Sequence, residues 1–336
     1  MDHFTPKACL YEPDVAKYTL GRTLLARCQE QGIPMDTIVS HNRIPEMSSR
    51  PNSDFLKMKT YLILGVRKTH NYTPNEKISQ WLVPFTSSGC SAMCLYCYLV
   101  CTYNKCSYLR VFVNREQMME KLIKTARTSA TEEVFEIGSN SDLILENTVT
   151  DNLPYVIPEF ARTERGRITF PTKFHMVEPL LELDHRGRVL VRMSVNPQSL
   201  IETVELGTSP LKKRIQALNR LAEAGYRVGI LVAPVILCDN WEKLYAELLD
   251  ELADSLNQKV KDQVFFEVIF LTYSYVQQAI NQDAFKSPPE LYDKKIMSPR
   301  GRGKYSYKKD IKAYGGDYLR SLISSRFPDS EIIYVV

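Results

Sequence analysis

The chain has 336 residues, 44% of them hydrophobic and 24% charged, with a formal net charge of +4. This is ordinary globular composition, enough for one large domain or two small ones, and the charge is too mild to mark a nucleic-acid binder by itself. No apolar run approaches the ~18 residues a membrane-spanning helix needs, and the N-terminus lacks the basic-then-apolar layout of a signal peptide, so a cytoplasmic protein with no membrane partner is expected.

Residues 1–77 read as an α+β extension, with a helix near Leu20–Gln31 and a strand at Leu62–Val66. From residue 78 short apolar runs alternate with helical stretches. Candidate strands are Ile78–Phe85, Val134–Gly138, Ile168–Pro171, Val189–Val195, Val228–Ala233 and Val264–Leu271, rich in β-branched and aromatic residues and bracketed by Gly, Pro or polar groups. Asn114 or Arg115 opens a helix that runs to about Arg127. Ser209-Pro210 opens another, with Leu211, Ile215, Leu218 and Ala222 at helical spacing before Gly225. Asn240 opens a third, with Leu244, Leu248, Leu252 and Leu256 along one face. Six strand–helix units over 78–283 predict a parallel sheet curled into a partial, open (β/α)6 barrel, since a closed barrel needs eight. Residues 284–336 complete the chain as a C-terminal lid, with an exposed hairpin or loop at 285–310, a helix at Gly316–Ser325 and a strand at Ile332–Val336. In such sheets chemistry sits at the C-terminal ends of the strands, so residues just beyond each run are the candidates for a site.

Of the eight cysteines, Cys90, Cys94, Cys97, Cys101 and Cys106 crowd into one stretch, while Cys9, Cys28 and Cys238 are scattered. A secreted disulfide framework would spread them through a small chain; this clustering argues for metal or redox chemistry. Cys90, Cys94 and Cys97 have the spacing C-x3-C-x2-C in a loop that follows the first candidate strand. Three thiolates on one loop can hold three corners of a [4Fe–4S] cluster and leave the fourth iron open. The rival reading is a zinc site or a closed electron-transfer cluster, with Cys101 or Cys106 as fourth ligand.

This spacing, with Tyr96 before the last cysteine, resembles the signature of the radical S-adenosylmethionine superfamily. The resemblance narrows to the spore photoproduct lyase family. The matching stretches run from Ser40-His-Asn42 through Cys90-Ser-Ala-Met-Cys-Leu-Tyr-Cys-Tyr-Leu99 and Tyr108-Leu-Arg-Val-Phe-Val-Asn114 to Phe135-Glu136 with Ser141-Asp142. They continue in Thr172-Lys-Phe174, Met193-Ser-Val-Asn196, Gly225-Tyr226, Val232-Ala-Pro234 and Gly303-Lys-Tyr305, spanning nearly the whole chain. It implies a radical-SAM-type barrel and an enzyme of DNA repair. Such a lyase splits the methylene-bridged thymine–thymine adduct of ultraviolet-damaged spore DNA into two thymines by a 5′-deoxyadenosyl radical. The cofactors implied are the [4Fe–4S] cluster and S-adenosyl-L-methionine, and the partners are damaged double-stranded DNA and a reductant such as flavodoxin or ferredoxin. A monomer in the cytoplasm of the spore core or germinating spore is implied as well. By the same resemblance Cys90, Cys94 and Cys97 are the metal ligands, and Ser141, Lys173, Ser194, Ala233 and Tyr96 contact S-adenosylmethionine. Tyr96 and Tyr98 match family tyrosines near cofactor and lesion.

One position departs from the family. Well-known members carry a cysteine three residues before the aspartate of the Ser-Asp pair, which returns a hydrogen atom to the product radical; here Ser139 stands there. A hydroxyl cannot replace a thiol in that step, because its O–H bond is far stronger than S–H. The expectation is that Cys101, with Tyr98 as relay, is the donor, with Cys106 as the second choice; the competing reading makes Cys101 a buried small hydrophobe. The departure also leaves open a divergent radical enzyme of the same fold, and a non-catalytic cluster or zinc DNA-binding module is the alternative from another class.

Between Lys294 and Lys309 lie Lys294, Lys295, Arg300, Arg302, Lys304, Lys308 and Lys309, interleaved with Tyr305 and Tyr307. Cations neutralise phosphates and aromatics stack on displaced bases. In the family this segment is a hairpin that inserts beside the flipped lesion, which makes Arg300, Arg302, Lys304 and Tyr305 the candidate DNA contacts. An arginine–tyrosine pair expected just upstream is Pro299-Arg300 here.

Overall fold

The computed structural model describes residues 3–336. The six apolar runs become neighbouring parallel strands: β1 (Trp81–Leu82), β2 (Val134–Glu136), β3 (Arg167–Thr172), β4 (Val189–Val195), β5 (Arg227–Val235) and β6 (Phe265–Phe270). They stand in sequence order, and the C-terminal strand β7 (Glu331–Val335) adds a further parallel member beside β6. Thr73–Pro74 pairs antiparallel with β1 on the opposite edge. β4 is buried along its whole length, as a strand covered on both faces must be. Helices Arg115–Thr128, Leu211–Glu223 and Trp241–Ser255 connect the strands as their periodicity predicts.

The sheet curls, and its concave face is charged. Arg192 on β4 donates to Glu136 on β2 at 2.7 Å and to Glu267 on β6 at 3.1 Å, while Tyr334 on β7 donates to the same Glu267. Lys77, from the loop before β1, lies 5.0 Å from the centre of the Tyr334 ring, so the two sheet edges approach each other without pairing. The architecture is the expected open partial barrel, with the C-terminal strand as an extra stave.

Three elements differ from the sequence expectation. The first strand shrinks to two residues because Pro84 has no N–H to continue the ladder, although the Gln80 and Val83 N–H groups still reach the Val134 and Glu136 carbonyls. The C-terminal helix starts at Lys309 rather than Gly316. Gly315 and Gly316 sit inside it because side chains leave no slack there: an added Cβ would lie 3.0 Å from the Phe270 ring and 3.3 Å from Val335. Asn240 precedes its helix in a left-handed conformation (φ 58°) without a side-chain capping bond.

A second sheet of five strands holds Met35–Thr37, Ala8–Tyr11, Tyr61–Gly65, Leu109–Phe112 and Ser87–Ser88 in that order. It begins in the N-terminal extension but is completed by residues on both sides of the cysteine loop. Inside it, Glu12 accepts from the His41 and Val66 backbone N–H groups and contacts His41 Nδ1 at 2.8 Å. Burial opposes ionisation of Glu12, yet these bonds hold its carboxyl down at about 2. One apolar core runs through both sheets, from Cys9 and Leu62 to Val191 and Val268. Among the described residues no helix is long and apolar enough to cross a membrane.

Candidate active site

The cysteine loop leaves the short strand Ser87–Ser88 at Gly89, whose φ of +75° and whose 1.9 Å clearance from the Tyr108 carbonyl exclude any side chain. Backbone bonds then fix the loop on three sides: Gly89 N–H to Asn140 O, Cys90 N–H to Ser107 O, and Met93 and Leu95 N–H to Leu206 and Val204 O. Lys59, almost wholly buried, donates to the Cys90 and Ser107 carbonyls at 2.8 and 2.9 Å. The Ala92 N–H donates to Cys90 Sγ at 3.3 Å.

All eight cysteines are free; Cys94 is buried, and Cys90 and Cys97 are partly exposed. Burial pushes the Cys90 thiol up to about 12, with Cys97 and Asp142 adding to the rise, and Cys94 rises for the same reason beside Glu205, Cys97 and Cys90. The three thiols thus share one electrostatic neighbourhood. Among the described residues no three His, Cys, Asp or Glu side chains converge as a cage for one metal ion. A four-iron cluster does not ask for that, because each thiolate binds a different iron. Three free thiols on one pinned loop, with an N–H already aimed at a sulfur, fit such a cluster.

The ends of β2 to β5 meet the loop. Asp142, after β2, accepts from the Ile144 and Leu145 N–H groups and so caps the helix Leu143–Thr150. It also accepts from Thr172 Oγ1 at 2.8 Å and from the Lys173 N–H at 2.9 Å, which ties the end of β3 to that of β2. The Ser141 and Ser87 hydroxyls share a 2.7 Å hydrogen bond, and Ser87 also donates to Glu146.

Lys173 Nζ donates to Ser194 Oγ at 2.6 Å, to the Ala233 carbonyl at 2.8 Å and to Glu205 Oε1 at 2.9 Å, and lies 5.6 Å from the centre of the Tyr96 ring. Tyr96, Lys173, Ser194 and Ala233, drawn from four separate segments, therefore converge on one point. Ser141 bonds instead to the Ser87 strand and adjoins Asp142, which accepts from the Lys173 N–H.

Glu205 is the residue that sequence reasoning missed. Its side chain is fully buried and accepts from Lys173, Tyr96 Oη, Asn196 Nδ2 (2.8 Å) and Arg214 Nη2 (2.6 Å). Burial opposes its charge, but Lys173 and Arg214 outweigh that and hold the carboxyl at about 2. Burial and the adjacent carboxylate drive Tyr96 the other way, well above an ordinary phenol.

Cys101 lies in the helix Leu99–Tyr103, with its N–H on the Tyr98 carbonyl at 2.9 Å. The two residues are three apart and share a face, Cys101 exposed and Tyr98 57% exposed, so Cys101 is no buried packing residue. Cys106 packs with Ile44, Met47 and Tyr108 in a small separate cluster. Ser139 is half-buried in the turn after β2.

The basic segment is a hairpin of Met297–Gly301 and Lys304–Tyr307, with Arg302 and Gly303 at its tip in left-handed conformations. It pairs antiparallel with Thr272–Ser274, directly after β6, and so stands at the barrel mouth. Arg300, Arg302 and Lys304 are exposed. Tyr305 is half-buried, its ring 4.5 Å from that of Tyr292, and Tyr307 is core, its hydroxyl accepting from the Leu237 N–H at 2.8 Å.

An open parallel barrel with a three-cysteine loop at its C-terminal mouth defines the radical S-adenosylmethionine class. A family model described as "Spore photoproduct lyase" matches residues 4–336. The spore photoproduct lyase of Bacillus subtilis (strain 168) is 33% identical over 337 residues, covering 98% of both chains, and that of Clostridium acetobutylicum is 28% identical over 340 residues. A mutant spore photoproduct lyase with bound AdoMet and dinucleoside spore photoproduct superposes with a TM-score of 0.92 at 29% identity over 99% of each chain. Another, complexed with dinucleoside spore photoproduct, gives 0.90 at 28%. The chain belongs to the spore photoproduct lyase family.

Proposed function

We propose that this chain repairs ultraviolet-damaged DNA, returning spore photoproduct to two thymines. The single observation that carries the reading is the meeting of Lys173, Ser194 and Ala233 with Tyr96 of the cysteine loop, in a chain that matches the family along its length. When bound, the cluster and S-adenosylmethionine supply a 5′-deoxyadenosyl radical.

Cys90, Cys94 and Cys97 hold the cluster, and the backbone bonds of Gly89, Met93 and Leu95 fix the loop against the strand ends. The Lys173 ammonium and the Ser194 hydroxyl would hold the polar end of S-adenosylmethionine beside the Ala233 carbonyl, with Ser141 as a further contact. Glu205 holds Lys173 and Tyr96 in register before the cofactor arrives, so little ordering remains for binding to supply. The hairpin, with Arg300, Arg302 and Lys304 exposed and Tyr305 at its base, takes the DNA on which the extruded lesion is presented.

Cys101 serves as hydrogen donor in place of the family cysteine: its S–H bond breaks, a C–H bond forms on the thymine radical, the resulting thiyl takes the phenolic hydrogen of Tyr98, and one electron from the reductant with a solvent proton returns the Tyr98 radical to the phenol. Their shared exposed face and the half-buried hydroxyl at Ser139 support this assignment. A low-potential reductant such as flavodoxin or ferredoxin supplies the electron, and a monomer in the spore core is the working form.

The test is anaerobic. The protein is reconstituted with iron and sulfide, reduced with S-adenosylmethionine present, and given a dinucleotide carrying the lesion. Joint appearance of 5′-deoxyadenosine and repaired thymidylyl-thymidine is expected; 5′-deoxyadenosine without repair would assign the chain to another substrate.

A further inference from the structure

The C-terminal helix Lys309–Arg326 has two unlike faces. One closes on the helix Trp241–Ser255: Tyr314 Oη donates to Glu242 at 2.6 Å, Tyr318 Oη to the Glu242 carbonyl, and Arg326 to Asp250 at 2.8 Å. The other borders a groove of about 290 Å³ against the end of β7, lined by Lys309, Lys312 and Arg320 with one carboxylate, Asp317. Gly316 forms part of its floor; a Cβ there would come within 3.3 Å of Val335.

Two further cations lie beside this groove. Arg300 projects from the hairpin, and Lys77 comes from the opposite edge of the sheet, across the open side of the barrel. Burial, then the positive charges of Arg300 and Lys77, lower Lys312 below an ordinary lysine. Positive charges from three separate elements thus act on one another beside this groove. Such crowding costs stability in the free protein and is relieved when an anion enters.

We propose that this groove is a second phosphate track, which takes the backbone of duplex DNA flanking the lesion. It continues the hairpin's exposed cations down the open side of the barrel. Lys309 to Arg320 spans about 16 Å of helix, the length of roughly five phosphates along one strand. The track rests on the lyase reading for its substrate, and uses Lys77, Lys312 and Arg320, which lie outside the basic hairpin.

The experiment compares the parent protein with the triple variant Lys77→Gln, Lys312→Gln, Arg320→Gln in two arms. In the first, binding to an undamaged duplex is measured against salt concentration. Each lost phosphate contact lowers the log–log slope by about 0.9, so the triple variant loses about 2.7, with affinity down roughly tenfold or more near 0.1 M salt. In the second, turnover of the dinucleoside lesion, which has no flanking phosphates, stays at the parent value. A Lys77→Arg, Lys312→Arg variant keeps both slope and affinity. Unchanged duplex binding in the triple variant overturns the proposal, as does loss of dinucleoside turnover in that variant alone. If the parent itself leaves the dinucleoside intact, the lyase reading fails, while the duplex arm still decides the track.

Discussion

Glu205→Gln tests whether the buried carboxylate organises the site. The substitution keeps the shape but removes the charge that faces Lys173 and Arg214, and puts an amide N–H₂ where a donor already points. In the folded protein the carboxyl sits at about 2 against an ordinary 4.5. At about 1.4 kcal/mol per pH unit this is ~3 kcal/mol of stability at neutral pH. Breaking a buried ion pair by deleting one partner costs about 3–5 kcal/mol, in agreement. The sign follows from the lowered value: the stabilisation is complete above about 4.5 and is lost as pH falls through about 2. Urea unfolding of the cluster-free protein is the assay, at pH 7 and again near pH 3. The variant should be ~3 kcal/mol less stable at pH 7, melting roughly 5–10 °C lower, and the gap should narrow at the acid end. A variant within ~0.5 kcal/mol of the parent at pH 7, the scatter of a neutral substitution, would refute the reasoning.

Lys173→Met removes the ammonium from Ser194 and Ala233, and the Kd for S-adenosylmethionine should rise roughly 10–100-fold, the worth of a charge-assisted hydrogen bond, by equilibrium dialysis on the reconstituted protein. Cys101→Ala should leave formation of 5′-deoxyadenosine intact while product analysis shows misquenched by-products, whereas Cys106→Ala repairs cleanly; clean repair by Cys101→Ala removes Cys101 as donor. Arg192→Leu strands Glu136 and Glu267 inside the barrel without their counter-charge and should cost about 3–5 kcal/mol in urea unfolding. Gly303→Ala places a Cβ 1.9 Å from the Tyr275 ring at a φ of +69°, so the hairpin tip must shift: duplex repair should fall while dinucleoside turnover holds.

The barrel was legible because a strand buried on both faces is written as a continuous apolar run, as in Val189–Val195. The cysteine loop was legible because three thiols at fixed spacing have few structural uses. Glu205 was not. It comes after the helix Gln198–Thr203 as a single charge between Val204 and Leu206, and reaches the site only because the backbone at Val204 and Leu206 bonds to the cysteine loop. No local pattern encodes that long-range contact. The strand Leu109–Phe112 is similar: its residues were noted for their resemblance, but its pairing with Tyr61–Gly65 in the N-terminal sheet is a matter of topology rather than composition. Gly315-Gly316 reads as a helix start in isolation and is a helix interior because Phe270 and Val335 press against it.

The most direct test of the central claim is the anaerobic assay of the reconstituted, reduced protein with S-adenosylmethionine and the lesion dinucleotide, counting 5′-deoxyadenosine and thymidylyl-thymidine in the same reaction. The account predicts both products, each abolished by Cys94→Ala. An intact cluster that cleaves no S-adenosylmethionine, or cleavage that never yields thymidylyl-thymidine, would contradict it.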